Sequence, residues 1–211
     1  MSRICDSPAV VIATLMSWAS VSATLISCMR QLKIPKISRR SLILSIRMTE
    51  KPLGDPNSYR PISLLCVPFK ILERLICSRV APINNPLHPQ EQASFRLDRS
   101  TVDQVILLTQ DIENSSFVKK KAWDEFLHLT AAYDNVWHRG PTYKLLRLLP
   151  DGHMIRIIME MVGNRSFTHT TGNGKRSRLR RLKNGVPQGS VLAPLLFNIY
   201  IYDLPTIQWR F

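Results

Sequence analysis

Hydrophobic spacing divides the chain into segments before any chemistry enters. In 68–80, PFKILERLICSRV, the positions Phe69, Leu72, Leu75, Ile76 and Val80 recur at helical intervals and predict one buried face. Pro82, Pro86 and Pro89 then predict an irregular linker. Ser100, followed three residues later by Asp103, predicts a capped helix running to about Glu113. The lysines at 119–121 read as a solvated loop. A short strand is expected around 123–129, with Phe126 and His128 on one face and Leu127 and Leu129 on the other. AAYDNVWH turns toward a helix whose first turn accommodates Pro141. A further helix over 151–162 is expected to end at Gly163.

Residues 165–183 carry two runs, SFTHTT and RSRLRRL, around GNGK, and predict a β-hairpin. Strict alternation would place Arg176, Arg178 and Arg180 on one face. A last apolar helix is expected over roughly 190–202. With no internal repeat, the order of a helical, basic N-terminal half followed by strand, helices, hairpin and helix gives an α+β fold. The uncharged run 7–29 is long enough to span a bilayer, and Val21-Ser22-Ala23 resembles a signal-peptidase site. Its many Ser and Thr residues suit a buried helix or an extension instead.

Charge narrows the choice of partner. The 211 residues are 45% hydrophobic, enough for a real core, yet carry a net charge of +14. Such a charge favours nucleic acid first and an anionic membrane second, against the plainer reading of a soluble basic surface. Two acid-free stretches concentrate the effect. One runs from Arg30 to Arg47. The other runs from Met161 to Tyr202 and includes Arg165, Lys175, Arg176, Arg178, Arg180, Arg181 and Lys183. Together they predict a groove for a phosphate backbone. The scattered Cys5, Cys28, Cys66 and Cys77 lack metal-site spacing and read as reduced thiols of an intracellular protein, in the nucleus or cytoplasm. No P-loop, GxSxG or HExxH motif occurs. By itself His128 is a core residue, a catalytic base, or a replacement for something else.

Four stretches settle the resemblance: SYRPISLLCVPFKILERLI at 58–76, PQEQASFRLDRSTVDQV at 89–105, FLHLTAAYDNVWH at 126–138 and NGVPQGSVLAPLLFNIYI at 184–201. In this order and spacing, over roughly 30–205, the chain resembles the reverse transcriptase domain of a non-LTR, LINE-type retrotransposon of the jockey-like kind. The resemblance implies the fingers and a partial palm of a right-hand polymerase. It divides the chain into an apolar N-terminal segment over 1–34, a fingers-like region over 35–122 and a partial palm over 123–211. It implies RNA-templated DNA synthesis, with two Mg²⁺ ions in the intact family. Arg60 matches a clamp on the triphosphate. Tyr133 matches the gate beneath the incoming sugar. Gln188 and Gly189 match positions beside the nucleotide and template. Phe95 and Arg96 match a stretch beside the template backbone. Lys175, Arg176, Arg178, Arg180 and Arg181 would add contacts to RNA or DNA.

The departures from the family pattern set the functional expectation. His128 stands where the family holds its first metal-binding Asp, and imidazole is a poor ligand for Mg²⁺. Asp124 lies four strand steps away, roughly 13 Å, and cannot replace it. The YADD hairpin expected after DLP at 203–205 is replaced by TIQWRF. Met48 takes a lysine position, with Arg47 beside it, and Ser94 takes a glycine position. The expectation is a truncated, inactive reverse transcriptase domain that needs no cofactor and binds RNA or DNA. The alternatives are a non-catalytic nucleic-acid-binding module, or part of an RNA-directed DNA polymerase whose other half is encoded downstream. Open sheet edges and uncovered apolar surface are expected in either case.

Overall fold

The computed structural model describes residues 8–49, 51–52, 54–89, 92–96, 98–117, 129–170 and 175–204, with side chains from Trp18 onward. Among the described residues six α-helices and four strands run in the order α1 (Pro8–Gln31), β1 (Arg40–Arg47), β2 (Tyr59–Leu64), α2 (Val67–Asn84), α3 (Thr101–Phe117), α4 (Arg139–Leu148), α5 (Gly152–Val162), β3 (Ser166–Thr170), β4 (Arg180–Arg181) and α6 (Ala193–Ile201). The content is mixed, as the α+β expectation has it, but the N-terminal half is not wholly helical: the alternating RSLILSIR and the run YRPISL form the paired strands β1 and β2. The sheet order is β2-β1-β3-β4. β1 pairs antiparallel with β2 and parallel with β3, and β3 pairs antiparallel with β4.

α2 is the central helix of the core. Its buried face is Phe69, Leu72, Glu73, Ile76 and Val80, packed among residues of α4, α5 and α6 such as Leu145, Ile158 and Ile199. The helical period that buries Phe69 and Ile76 also buries Glu73 and turns Leu75, expected inside, toward solvent. The predicted proline linker begins later than expected. Pro82 lies within α2, because Val80 and Asn84 on either side of it are buried and hold the last turn in place. Pro86 then opens a single 3₁₀ turn over Asn85–Leu87.

Glu73 is 0% exposed, so its charge must be met by donors from elsewhere. Arg165 Nη2 lies 3.3 Å from Oε1, Ser190 Oγ donates to Oε1 at 2.5 Å, and the Val191 N–H donates to Oε2 at 2.9 Å. Arg165 also donates from Nε to the Met161 carbonyl at 2.7 Å and lies over the Phe69 ring at 4.8 Å. The arginine assigned by sequence to a basic groove is therefore an interior residue.

The helix ends follow local chemistry. Ser100 and Asp103 form the expected reciprocal cap of α3, through Ser100 N–H and Oγ to Oδ2 at 2.6 and 3.0 Å and Asp103 N–H back to Oγ at 3.3 Å. The helix continues to Phe117, beyond the expected end. Asp151 caps α5 by accepting from the N–H groups of His153 and Met154. Gly163 follows α5 at φ −75, and the left-handed turn is taken by Asn164 at φ 53 instead. α6 starts at Ala193 rather than 190, with Ser190 Oγ accepting the Ala193 N–H at 3.2 Å. At its other end Lys144 Nζ bonds the Tyr200 carbonyl and the Asp203 carboxylate.

The basic hairpin departs from its predicted pattern. Ser166 faces Arg181 and Phe167 faces Arg180, whereas Thr170 faces Arg176. Between these pairs Thr168 alone stands against both Arg178 and Leu179, which is a β-bulge. Ser177 supports it, donating its N–H to the His169 carbonyl at 2.8 Å and accepting the His169 N–H on Oγ at 2.9 Å. The extra residue shifts the alternation by one. Arg176 and Arg181 fall on the face of Ser166 and Thr170, and Arg180 falls on the opposite face with Phe167.

Expectations at 119–121, at the GNG turn and over the strand up to His128 lie outside the described residues. α1 is a helix, but Trp18 and Ile26 are exposed, and its contact with the core runs through Leu25, Cys28 and Met29. Among the described residues no helix is long and apolar enough to cross a membrane. Cys28, Cys66 and Cys77 are free thiols.

Replacing Glu73 by alanine leaves a buried guanidinium and two further donors without their acceptor. We expect a loss of about 3–5 kcal/mol in urea denaturation, and a loss below about 1 kcal/mol would show that the pair does not hold the core.

Candidate functional site

The loop 184–189, NGVPQG, is tied down on two sides. On one side, Gly185 N–H donates to the Val136 carbonyl and Val186 N–H to the Tyr133 carbonyl, each at 2.8 Å. His138 Nε2 donates to the Gly185 carbonyl at 2.7 Å, which fixes the proton on that nitrogen. On the other side, Ser63 N–H on the outer edge of β2 donates to the Gln188 carbonyl at 2.7 Å. Two glycines permit this double docking. Gly185 has φ +84 and Gly189 φ +98, and a Cβ at 189 would lie 2.9 Å from the Ser63 carbonyl oxygen.

This docking encloses a pocket of about 140 Å³ whose lining includes Ile43, Pro61, Ser63, Phe167, Asp134 and Gln188. Asp134 is the acid among its described lining residues. Among the described residues no group of three His, Cys, Asp or Glu side chains could hold a metal ion. A hard divalent cation needs several oxygen donors, so the described donors do not by themselves fit Mg²⁺. His128 lies outside the described residues.

Tyr133 contributes its carbonyl to the loop while its ring lies between Phe95 and Phe197, at centroid distances of 6.2 and 5.4 Å. Its hydroxyl is buried and has no hydrogen-bond partner among the described residues, and burial raises the phenol above its ordinary pKa. Phe95 is 64% exposed and adopts φ 58. The left-handed conformation thus lies one residue beyond Ser94, which takes the glycine position. Arg96 spends its guanidinium inside the protein: Nε donates to Asn85 Oδ1, Nη2 to the Asn85 carbonyl, and Nη1 to the carbonyls of Pro89 and Gln92, at 2.6–3.1 Å. It holds the 85–92 loop.

Arg60 does not line the pocket of Gln188. It lies opposite Ile46 on the sheet face away from Ser63, three residues along β2, roughly 10 Å. There it shares a second groove, of about 420 Å³, with Arg47, Met48, Thr49 and Lys51. Its described lining residues include three cations and no acid. Lys51 was missed by sequence reasoning, which looked for its lysine at 47–49. The turn beyond β1 brings it back, with Lys51 N–H donating to the Met48 carbonyl and Nζ to the Asn57 carbonyl. Lys175, Arg176, Arg178, Arg180 and Arg181 are exposed along the bulged strand.

A buried polar chain backs the site. Asn84 Nδ2 donates to His88 Nε2 at 2.9 Å, His88 Nδ1 donates to Gln92 Oε1 at 3.1 Å, and Gln92 Nε2 donates to Asn198 Oδ1 at 3.3 Å. Asn198 Nδ2 reaches the carbonyls of Ser94 and Phe95 at 3.0 and 3.3 Å. Burial, aided by the charge of Arg96 and opposed by the bond to Gln92, lowers the pKa of His88 below its ordinary value.

Residues 48–208 match the family model described as reverse transcriptase (RNA-dependent DNA polymerase). The chain is 35% identical over 174 residues to the RNA-directed DNA polymerase from mobile element jockey of Drosophila melanogaster, covering 82% of this chain and 19% of that protein. It is 38% identical over 173 residues to the probable RNA-directed DNA polymerase from transposon BS of the same species, covering 81% and 19%. It is 34% identical over 166 residues to that from transposon X-element, covering 78% and 18%. The chain therefore spans about a fifth of the length of these relatives.

Alanine at Gly189 must adopt a disfavoured φ and press on the Ser63 carbonyl. The expected cost is about 1–3 kcal/mol in chemical denaturation, and an unchanged midpoint would show that the loop does not depend on this contact. A second expectation concerns pH. The unfolded chain protonates His88 near the ordinary imidazole value of about 6.5, where folded His88 is still neutral. Stability should fall as pH drops through this value and level off below the folded pKa. In urea titrations at neutral and mildly acidic pH, His88→Gln should lose less than the parent, and equal losses would refute the assignment.

Proposed function

Because the chain belongs to the reverse transcriptase family, of the kind carried by non-LTR retrotransposons, we propose that it binds nucleotide and nucleic acid as such a domain does but does not polymerise on its own. The observation that carries the binding half is the double docking of the 184–189 loop, which brings Gln188 and Asp134 into one pocket beside the Tyr133 turn. On this reading residues 35–122 act as the fingers-like region and 123–211 as the partial palm. Arg60, now joined by Lys51 and Arg47, supplies positive charge for a triphosphate. Gln188 lies beside the base, the small Gly189 allows backbone to approach, and Tyr133 limits room beneath the sugar. The exposed Lys175, Arg176, Arg178, Arg180 and Arg181 offer sequence-independent contacts to a phosphate backbone. Because the bulge divides them between two faces, they suit a strand that wraps the β3–β4 edge.

The inactive half of the proposal rests on His128. In the intact family, bound Mg²⁺ neutralises charge on the departing phosphates. An imidazole at the first carboxylate position removes both a hard ligand and a negative charge, and Asp134 alone does not replace them. Each 1.4 kcal/mol lost from transition-state stabilisation is tenfold in rate.

The proposal is tested with a labelled primer–template duplex. Binding at low salt should weaken steeply as salt rises, no templated extension should be seen with Mg²⁺ and deoxynucleotides, and His128→Asp should tighten Mg²⁺-dependent nucleotide binding. Absence of binding at low salt would remove the nucleic-acid reading. Extension by the unaltered chain would remove the inactivity.

A further inference from the structure

Phe95 combines two features that oppose each other in a purely structural residue. Its backbone is in the left-handed region at φ 58, which costs an aromatic residue energy, and its ring is largely exposed, so burial returns little. Something must hold it there. Asn198, 2% exposed, directs its Nδ2 to the carbonyls on both sides of the strained residue, Ser94 and Phe95. Its own amide is fixed from behind by Gln92, which in turn is held by His88 and Asn84. Both hydrogens of the amide are thereby used on the loop, and the oxygen is used on the relay.

The neighbouring residue on α6 completes the arrangement. Phe197 meets Tyr133 edge-on with an interplanar angle of 85°, and Tyr133 meets Phe95 at 40°. Two consecutive positions of one helix thus set two aromatic rings, Phe197 through ring contact and Asn198 through the backbone. Tyr133 is also the residue whose carbonyl anchors the 184–189 loop, so the exposed Phe95 ring rests on a residue tied to that loop.

We infer that Asn198 is a positioning residue: it holds Phe95 in its strained conformation so that the Phe95 ring, backed by Tyr133, forms a stacking platform for an unpaired nucleobase of the bound strand. This inference rests on the nucleic-acid reading above and extends it by assigning an interior amide to the work of the exposed ring. A base-sized flat ligand matches an exposed aromatic ring held rigid by hydrogen bonds, because stacking requires a fixed plane and no sequence-specific partner.

The test uses the full chain and a fluorescein-labelled duplex with a single-stranded 5′ overhang, read by anisotropy. Phe95→Ala should weaken binding roughly tenfold, in the range of one lost base–aromatic stack. Asn198→Asp, which keeps the shape and loses both donors, should weaken it similarly, and the double variant should be no weaker than either single one. Additive losses, or unchanged binding by Asn198→Asp where Phe95→Ala binds weakly, would overturn the inference while leaving the nucleic-acid reading intact. Limited chymotrypsin digestion provides a readout independent of nucleic acid. Cleavage after Phe95 should accelerate in Asn198→Asp and, to a lesser degree, in Gln92→Leu, which releases the amide from behind and remains available if the Asp variant fails to fold. Unchanged cleavage in a folded variant would overturn the inference even if the parent chain bound no nucleic acid, a result that would separately remove the reading it extends.

Discussion

A carboxylate sealed from water organises this fold. Glu73 lies on the face of α2 that packs into the core, and a buried charge is tolerated only where donors converge on it. The donors come from the end of α5 through Arg165 and from the residues preceding α6 through Ser190 and Val191. Ser190 and Val191 directly follow Gln188 and Gly189. The ion pair that holds three helical regions together therefore also fixes one end of the pocket loop. The other end is fixed by the carbonyls of Tyr133 and Val136. Between these anchors the loop meets the edge of β2, where a side chain at position 189 would collide with the strand.

β2 organises the chemistry that this frame presents. Its edge receives the Gln188 carbonyl at Ser63, and its opposite face carries Arg60 into the cationic groove of Arg47 and Lys51. A strand with two-residue periodicity separates these functions by three positions and by one face. The proposed nucleotide site therefore has an apolar, amide-bearing part and a cationic part, joined through one short strand. The buried relay from Asn84 to Asn198 adds a third support behind the aromatic pair.

Much of this was legible in the chain. The capping pair Ser100–Asp103, the helix over 151–162 and the face of Phe69 and Ile76 follow from local spacing. Other features were not. The apolar positions Val102, Val105, Ile106 and Ile112 of α3 repeat at helical spacing, yet all are exposed, because periodicity reports an amphipathic face and not what covers it. Leu75 and Glu73 exchange expected places because positions two apart lie about 200° from each other on a helix, so the phase that buries one exposes the other. The predicted arginine ladder fails at the bulge opposite Thr168, since one extra residue reverses every later side chain.

The sequence by itself determined the family and the helices over α2, α3, α5 and α6, but not the strands β1 and β2. The former are encoded in contiguous letters, where propensity, capping and motif order act over a few residues. Only the tertiary structure decided which charges are available. Arg165 and Arg96 look, in sequence, like members of a basic surface, but the first is neutralised by a glutamate 92 residues away and the second is spent on the carbonyls of its own loop. Lys51, outside the motif searched, joins Arg60 in a groove. A charge's partner is set by distance in space, and in this chain the folding of α2 against α5 and α6 brings those partners together.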